Sequence, residues 1–293
     1  MHAEKLDVLS NPSPSLFVRE YLRKGRPALL RGVADTWPAA AWTPEYLADR
    51  FGGLDVKYET WTEAADDLFE FQATQRHTAT TLREFVGLMR GAESPASRRV
   101  YLTAFELCRA LPQFRQAFGS LDPYMGWSRF TPQAVRERLR VEPYLWMGPA
   151  GTLSMLHFDR LHNFFVQLHG TKRFLHIDPK YSERLYYPHA RLQTGLLHWS
   201  PVNPAQPDYQ RFPRFRGVPV IETIVERGDV LFTPPRWWHY VESLTPSISV
   251  NFFWMLPLRT TWAIREYLYV LGRRRALEAA GLARVLPALE STA

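Results

Sequence analysis

The sequence predicts a mainly β fold with flanking helices, an antiparallel barrel or sandwich framed by N-terminal α/β elements and C-terminal helices. Two observations carry this expectation. From Val141 onward, short segments rich in β-branched and aromatic residues follow one another, with Gly, Pro or Asp between most of them. On either side of that stretch the apolar period is that of helices.

In chain order, residues 1–140 read mostly as helices with short strands between them. Thr43-Pro44 opens one helix, because threonine can cap and proline suits the first helical position. Thr81 and Glu84 form a capping box before LREFVGLMR, and Gly91 can end that helix. TPQAVRERLR, 131–140, opens a third in the same way. The barrel core is expected at about 141–256, with strands in EPYLWMG, GTLSMLHF, NFFVQLHG, TKRFLHID, DVLFTP, WHYVES and SISVNFFW. The stretch 178–219, rich in Pro, Tyr and Arg, is too long to be idle in a compact domain and is expected over the barrel mouth. Residues 1–256 then form one domain, and 257–293 a helical extension. In that extension Trp262, Ile264, Tyr267, Leu268 and Leu271 share a face that either packs on the barrel or pairs two chains as a homodimer.

A chain of 293 residues can bury a large core without disulfides. Its one cysteine, Cys108, excludes an internal disulfide and any multi-cysteine zinc site, and reads as a small buried apolar residue. A reducing, cytoplasmic setting is the expectation, with no secretory signal and no membrane-spanning run. The net charge of +7 is scattered apart from Arg273, Arg274 and Arg275, so charge alone names no partner.

The chemistry concentrates in two places. In H-F-D the side chains of His157 and Asp159 project from one strand face, while Leu156 and Phe158 face the other way. A neutral imidazole and a carboxylate on one face are two parts of a facial iron(II) triad. His239, in ERGDVLFTPPRWWHYVES, supplies the third if its strand lies beside the first. H-x-D alone is a common coincidence; joined to G-D-x-L-F-x-P-x-x-W-x-H it is rare. His162, His169 and His176 read as structural, His162 because an odd spacing turns it from the site face. Asn163, an even six residues past His157, returns to that face if the strand continues. Lys172 folds back alongside after the turn at His169-Gly170-Thr171. Inside a barrel a lysine needs a charge partner, so either a bound carboxylate pairs with it or its ammonium snorkels to the rim. The neighbouring triad favours the first.

H-x-D-x-x-x-N-F-F, G-x-K-R-F and W-W-H-x-x-E-S together carry a resemblance that runs from RPALLRGVADTWPAAAW (26–42) to SVNFFW (249–254). The sequence resembles the Jumonji-C, cupin-like Fe(II) and 2-oxoglutarate oxygenases, nearest the hydroxylase group that includes the asparaginyl hydroxylase of hypoxia-inducible factor. The resemblance implies a double-stranded β-helix (jelly-roll, cupin-like) core with iron held by His157, Asp159 and His239. It implies that Lys172 pairs with the distal carboxylate of 2-oxoglutarate, with Tyr101 and Ser154 as hydroxyl partners. Threonine is usual at the Ser154 position in the nearest group. Asn163 and Asn251 match amides near the metal-bound end of the cosubstrate. The implied reaction consumes O2, splits 2-oxoglutarate into succinate and CO2, and hydroxylates a side chain of a protein or peptide. Related alternatives are tRNA-base hydroxylation and N-methyl-lysine or arginine demethylation; a non-catalytic, partner-binding cupin-like protein is a third.

Overall fold

A computed structural model describes residues 5–61, 75–90, 99–128, 130–140, 143–187 and 198–256. The expected C-terminal helices at 257–293 and the helix stop at Gly91 lie outside the described residues. Thirteen strands are described: β1 Asp7–Ser10, β2 Ala28–Arg31, β3 Asp55–Thr60, β4 Arg76–Thr81, β5 Val100–Glu106, β6 Tyr144–Gly148, β7 Leu153–Phe158, β8 His162–His169, β9 Lys172–Ile177, β10 Ile221–Val225, β11 Val230–Thr233, β12 Trp238–Ser243 and β13 Ser247–Trp254. They form a nine-stranded sheet, β1-β2-β11-β8-β13-β6-β5-β3-β4, and a four-stranded sheet, β10-β9-β12-β7. Every described pair is antiparallel except β1–β2. This is the jelly-roll arrangement, two sheets facing each other across a lumen.

The strand β8 shows why the core sequence lacks clean alternation: six of its eight residues are buried, so both faces must satisfy a core. Phe164, Val166 and Leu168 point outward from the lumen and pack with Phe232, Trp254, Ile248 and Val250. The N-terminal segment closes that face. Phe17, fully buried, sets its ring 5.1 Å from Phe232 and 5.7 Å from Phe164. Asn163, Phe165 and Gln167 alternate to the luminal side.

Two of the expected caps are present. The Thr43 hydroxyl accepts from the Tyr46 N–H at 3.1 Å and opens helix Pro44–Phe51. Before helix Leu82–Arg90, Thr81 Oγ1 accepts from the Glu84 N–H at 3.3 Å and Glu84 Oε2 accepts from the Thr81 N–H at 3.0 Å. The third helix, Gln133–Arg138, starts later than expected, with Pro132 in the cap position and no side-chain cap. Residues 1–140 also contribute β1–β5, and β3, β4 and β5 extend the large sheet beyond the barrel. Their polar sequences, such as RHTATT in β4, carry little apolar signal because most of β4 is exposed.

The described parts of the stretch 178–219, residues 178–187 and 198–219, lie elsewhere than expected. They cover the outer face of the small sheet, where Leu185, Val202, Phe215 and Val218 pack on Phe158, Ile177 and Trp238. Among the described residues of the stretch the limb at 198–200 reaches the lumen's opening. There the Phe158 N–H donates to the His198 carbonyl at 3.0 Å and the Ser200 N–H to the Leu156 carbonyl at 2.8 Å, a single antiparallel bridge on the edge of β7.

Candidate metal centre

β7 and β12 lie side by side with His157 and His239 directly paired, and their ring centroids are 4.2 Å apart. His157 Nδ1 is 2.7 Å from the Met155 carbonyl oxygen, and His239 Nδ1 is 3.0 Å from that of Trp237. A carbonyl only accepts, so in each ring Nδ1 carries the proton and donates, leaving the Nε2 lone pair free. Asp159 lies just past the end of β7, its backbone carbonyl accepting from the Arg236 N–H at 2.8 Å. Its Oδ2 sits 3.6 Å from His239 Nε2. One ligand atom from each of His157, Asp159 and His239 falls within 4.8 Å of the others. Burial holds His157 well below the ordinary histidine range and pushes the Asp159 carboxyl up, with His239 drawing the latter back. Two imidazoles with free Nε2 lone pairs and one half-buried carboxylate, all within ligand reach of one another, fit a divalent cation.

Asn163 donates from Nδ2 to Asp159 Oδ2 at 3.3 Å. It arrives there by a route other than the expected one. β7 ends at Phe158 and β8 starts at His162, so a turn, not a continuing strand, brings Asn163 to the site. His162 does face away, stacking on Trp254 at 5.1 Å.

Lys172 is 1% exposed and donates to the Tyr101 hydroxyl at 2.9 Å. Its Nζ lies 5.1 Å from the Tyr101 ring centroid and 5.5 Å from that of Phe165. No carboxylate among the described residues pairs with it, and burial lowers its pKa to about 7. Tyr101 also hydrogen-bonds Ser154, and burial drives the phenol well above its usual range. Ser154, three residues before His157, should face the opposite side in a regular strand. A bulge corrects this: His239 pairs with His157 but Val241 pairs with Ser154, so the extra residue in β7 turns Ser154 to the luminal side. Asn251 pairs with Phe165 across β13 and β8 and is 7% exposed. Asn163 Oδ1 and Asn251 Oδ1 are buried without a hydrogen-bond partner in the described structure. A buried ammonium without a carboxylate partner among the described residues, and two buried amide oxygens without partners, fit an elongated, polar, carboxylate-bearing ligand.

Residues 14–258 match the cupin-like domain family. The chain belongs to that family. It is 32% identical over 250 residues to Jumonji C domain-containing protein 5 of Drosophila melanogaster, covering 84% of this chain and 59% of that protein. It is 30% identical over 245 residues to Lysine-specific demethylase 8 of Xenopus tropicalis, covering 83% and 51% respectively. With human Bifunctional peptidase and (3S)-lysyl hydroxylase JMJD7 it shares 24% identity over 298 residues, 91% of this chain and 89% of that protein. The chain thus spans little more than half the length of the first two relatives.

Within this cupin-like lumen two further side chains adjoin the centre, and one of them, Trp199, went unseen in the sequence. His176, read there as structural, pairs with His239 across β9 and β12, so His176, His239 and His157 form one luminal row. Its Nε2 lies 3.2 Å from Thr233 Oγ1, and its Nδ1 is buried without a partner in the described structure. The even spacing from Lys172 to His176 on one strand was the available signal. Trp199 stacks on the His157 ring at 4.7 Å and 20°. Nothing local to HWS marks it, since the edge pairing with β7 alone puts it there.

Proposed function

We propose that the chain is an Fe(II)- and 2-oxoglutarate-dependent oxygenase that hydroxylates a side chain of a protein or peptide. The observation that carries this is the pairing of two sites in one lumen. His157, Asp159 and His239 converge at one position, and buried Lys172 waits with Tyr101 and Ser154 at another. His157, Asp159 and His239 would hold the metal. Lys172, Tyr101 and Ser154 would hold the distal carboxylate of the cosubstrate, with Asn163 and Asn251 beside its metal-proximal end. When bound, iron(II) and 2-oxoglutarate supply oxidation of a C–H bond by O2, coupled to decarboxylation of the cosubstrate to succinate and CO2.

The chain's own residues orient and enclose. The carbonyls of Met155 and Trp237 fix each imidazole by its Nδ1–H, so neither ring swings on metal loss. Asn163 steadies Asp159. Trp199 covers the His157 ring and narrows the approach from that side. Phe165 and Phe174, 4.7 Å apart, exclude water behind the cosubstrate pocket. Protein targets are supported by the relative named for lysyl hydroxylation. The relative named as a lysine-specific demethylase supports a second reading, removal of an N-methyl group through the same oxidation.

The test is slow conversion of 2-oxoglutarate to succinate by the iron-loaded protein without a target. His157→Ala and Asp159→Ala should each abolish it and weaken metal binding by calorimetry; unchanged turnover in both would sink the assignment. Release of formaldehyde during turnover of a methylated peptide selects the second reading.

A further inference from the structure

Residues 184–221 hold five arginines and one acid, Asp208. Folding gathers three of the arginines. Arg184 donates through Nε to the Arg214 carbonyl at 2.8 Å and through Nη2 to the Arg216 carbonyl, tying three cationic residues together despite their like charge. Exposed Arg214 lies 4.2 Å over the Tyr186 ring, and exposed Arg216 lies 4.9 Å over Tyr209. Exposed Lys180, 5.1 Å from the Tyr181 ring centroid, is paired with Asp178 at 3.2 Å and adds no net charge to the patch. Among the described residues no carboxylate lies within ion-pair distance of Arg214 or Arg216. Asp208 is turned inward on its own loop, accepting from the N–H groups of Gln210 and Arg211.

The same segment leads to the metal centre. Its limb at 198–200 bonds to β7 and lays Trp199 on His157. Arg160 follows Asp159 directly in the chain, beside the centre.

We infer that Arg184, Arg214 and Arg216 form a docking surface for an acidic segment of the protein target, which the 198–200 limb leads toward the metal. This rests on the proposed protein-directed activity. Charge complementarity selects the partner: exposed guanidiniums set over tyrosine rings, with no carboxylate of the described residues paired to them, offer N–H groups suited to bidentate bonds with carboxylates. Single-stranded RNA would need open aromatic faces for its bases, and here cations occupy the faces of Tyr186 and Tyr209.

The probes are a fluorescein-labelled twelve-residue peptide rich in Glu and Asp and a twelve-nucleotide single-stranded RNA, followed by anisotropy at about 0.15 M salt. Arg214→Glu with Arg216→Glu should weaken peptide binding about tenfold. The charge-matched control, Arg50→Glu with Arg138→Glu on N-terminal helices, should change it little. Arg214→Ala with Arg216→Ala gives the same direction should the reversal disturb folding, which thermal melting reports. Equal loss in patch and control variants, no peptide binding by the wild type, or tighter binding of the RNA would each overturn the inference. Target-free succinate formation should be equal in the wild type and both patch variants. Its absence from the wild type would count against the oxygenase reading, while the peptide result would still decide the docking surface.

Discussion

Burial brings Lys172 near the point of losing its proton, because no carboxylate in the described structure offsets the cost of enclosing its ammonium. Its pKa falls from 10.5 to about 7 on folding, so between those values the unfolded chain binds more protons than the folded one. Stability of the ligand-free protein should therefore rise with pH across that window, and the full penalty should apply below it. Lys172→Met should melt higher than the wild type at neutral pH while binding 2-oxoglutarate more weakly; a lower melting temperature would contradict the unpaired charge. Binding of 2-oxoglutarate at pH ~8.5 should take up a proton, read from calorimetry in buffers of different ionisation enthalpy. Asn163→Ala removes the donor to Asp159 Oδ2 and should weaken Mn(II) binding about tenfold. An unchanged affinity would reduce the asparagine to a packing role. Identity was legible here, since a lysine in an apolar strand asks for a reason. Depth was not: only the hairpin and the partner strand β12 decide that the side chain is sealed in.

At the scale of elements, local chemistry was readable wherever the determining partners are near in sequence. The capping box at Thr81 and Glu84 spans one helical turn and forms as read. Thr81→Ala should cost about 1 kcal/mol in denaturant unfolding. Gly170 makes the β8–β9 turn at φ +72°, and an added Cβ would collide with the Pro246 carbonyl. Gly170→Ala should therefore destabilise by at least ~1–3 kcal/mol and loosen the hairpin that places Lys172, visible as faster amide exchange in β9. The bulge that turns Ser154 inward left no mark in LSMLHF, because it is a mismatch of count between two strands. β10 was also missed: IETIV is short and opens beyond a proline-rich stretch, and its pairing with β9 fixes it.

Across the whole molecule, the N-terminal segment and the barrel share one core. Phe17 meets Phe164, Phe232, Tyr21 and Tyr124, joining the start of the chain to its central strands. Phe17→Ala should cost about 3–5 kcal/mol and lower a single cooperative transition; a separate early transition would show that the N-terminal segment folds apart from the barrel. The sequence by itself determined the mainly β architecture and the residue types of the centre, the imidazoles of His157 and His239, the carboxylate of Asp159 and the amine of Lys172. Side-chain alternation and capping are local, so a linear pattern records them. Tertiary structure decided which residues meet: the register that sets His239 beside His157, the bulge that admits Ser154, the row that includes His176. It also sent the described parts of the arginine-rich stretch to the outer face of the small sheet, and set Trp199 beside the lumen. Those outcomes depend on pairings between segments far apart in the chain, and no local period encodes them.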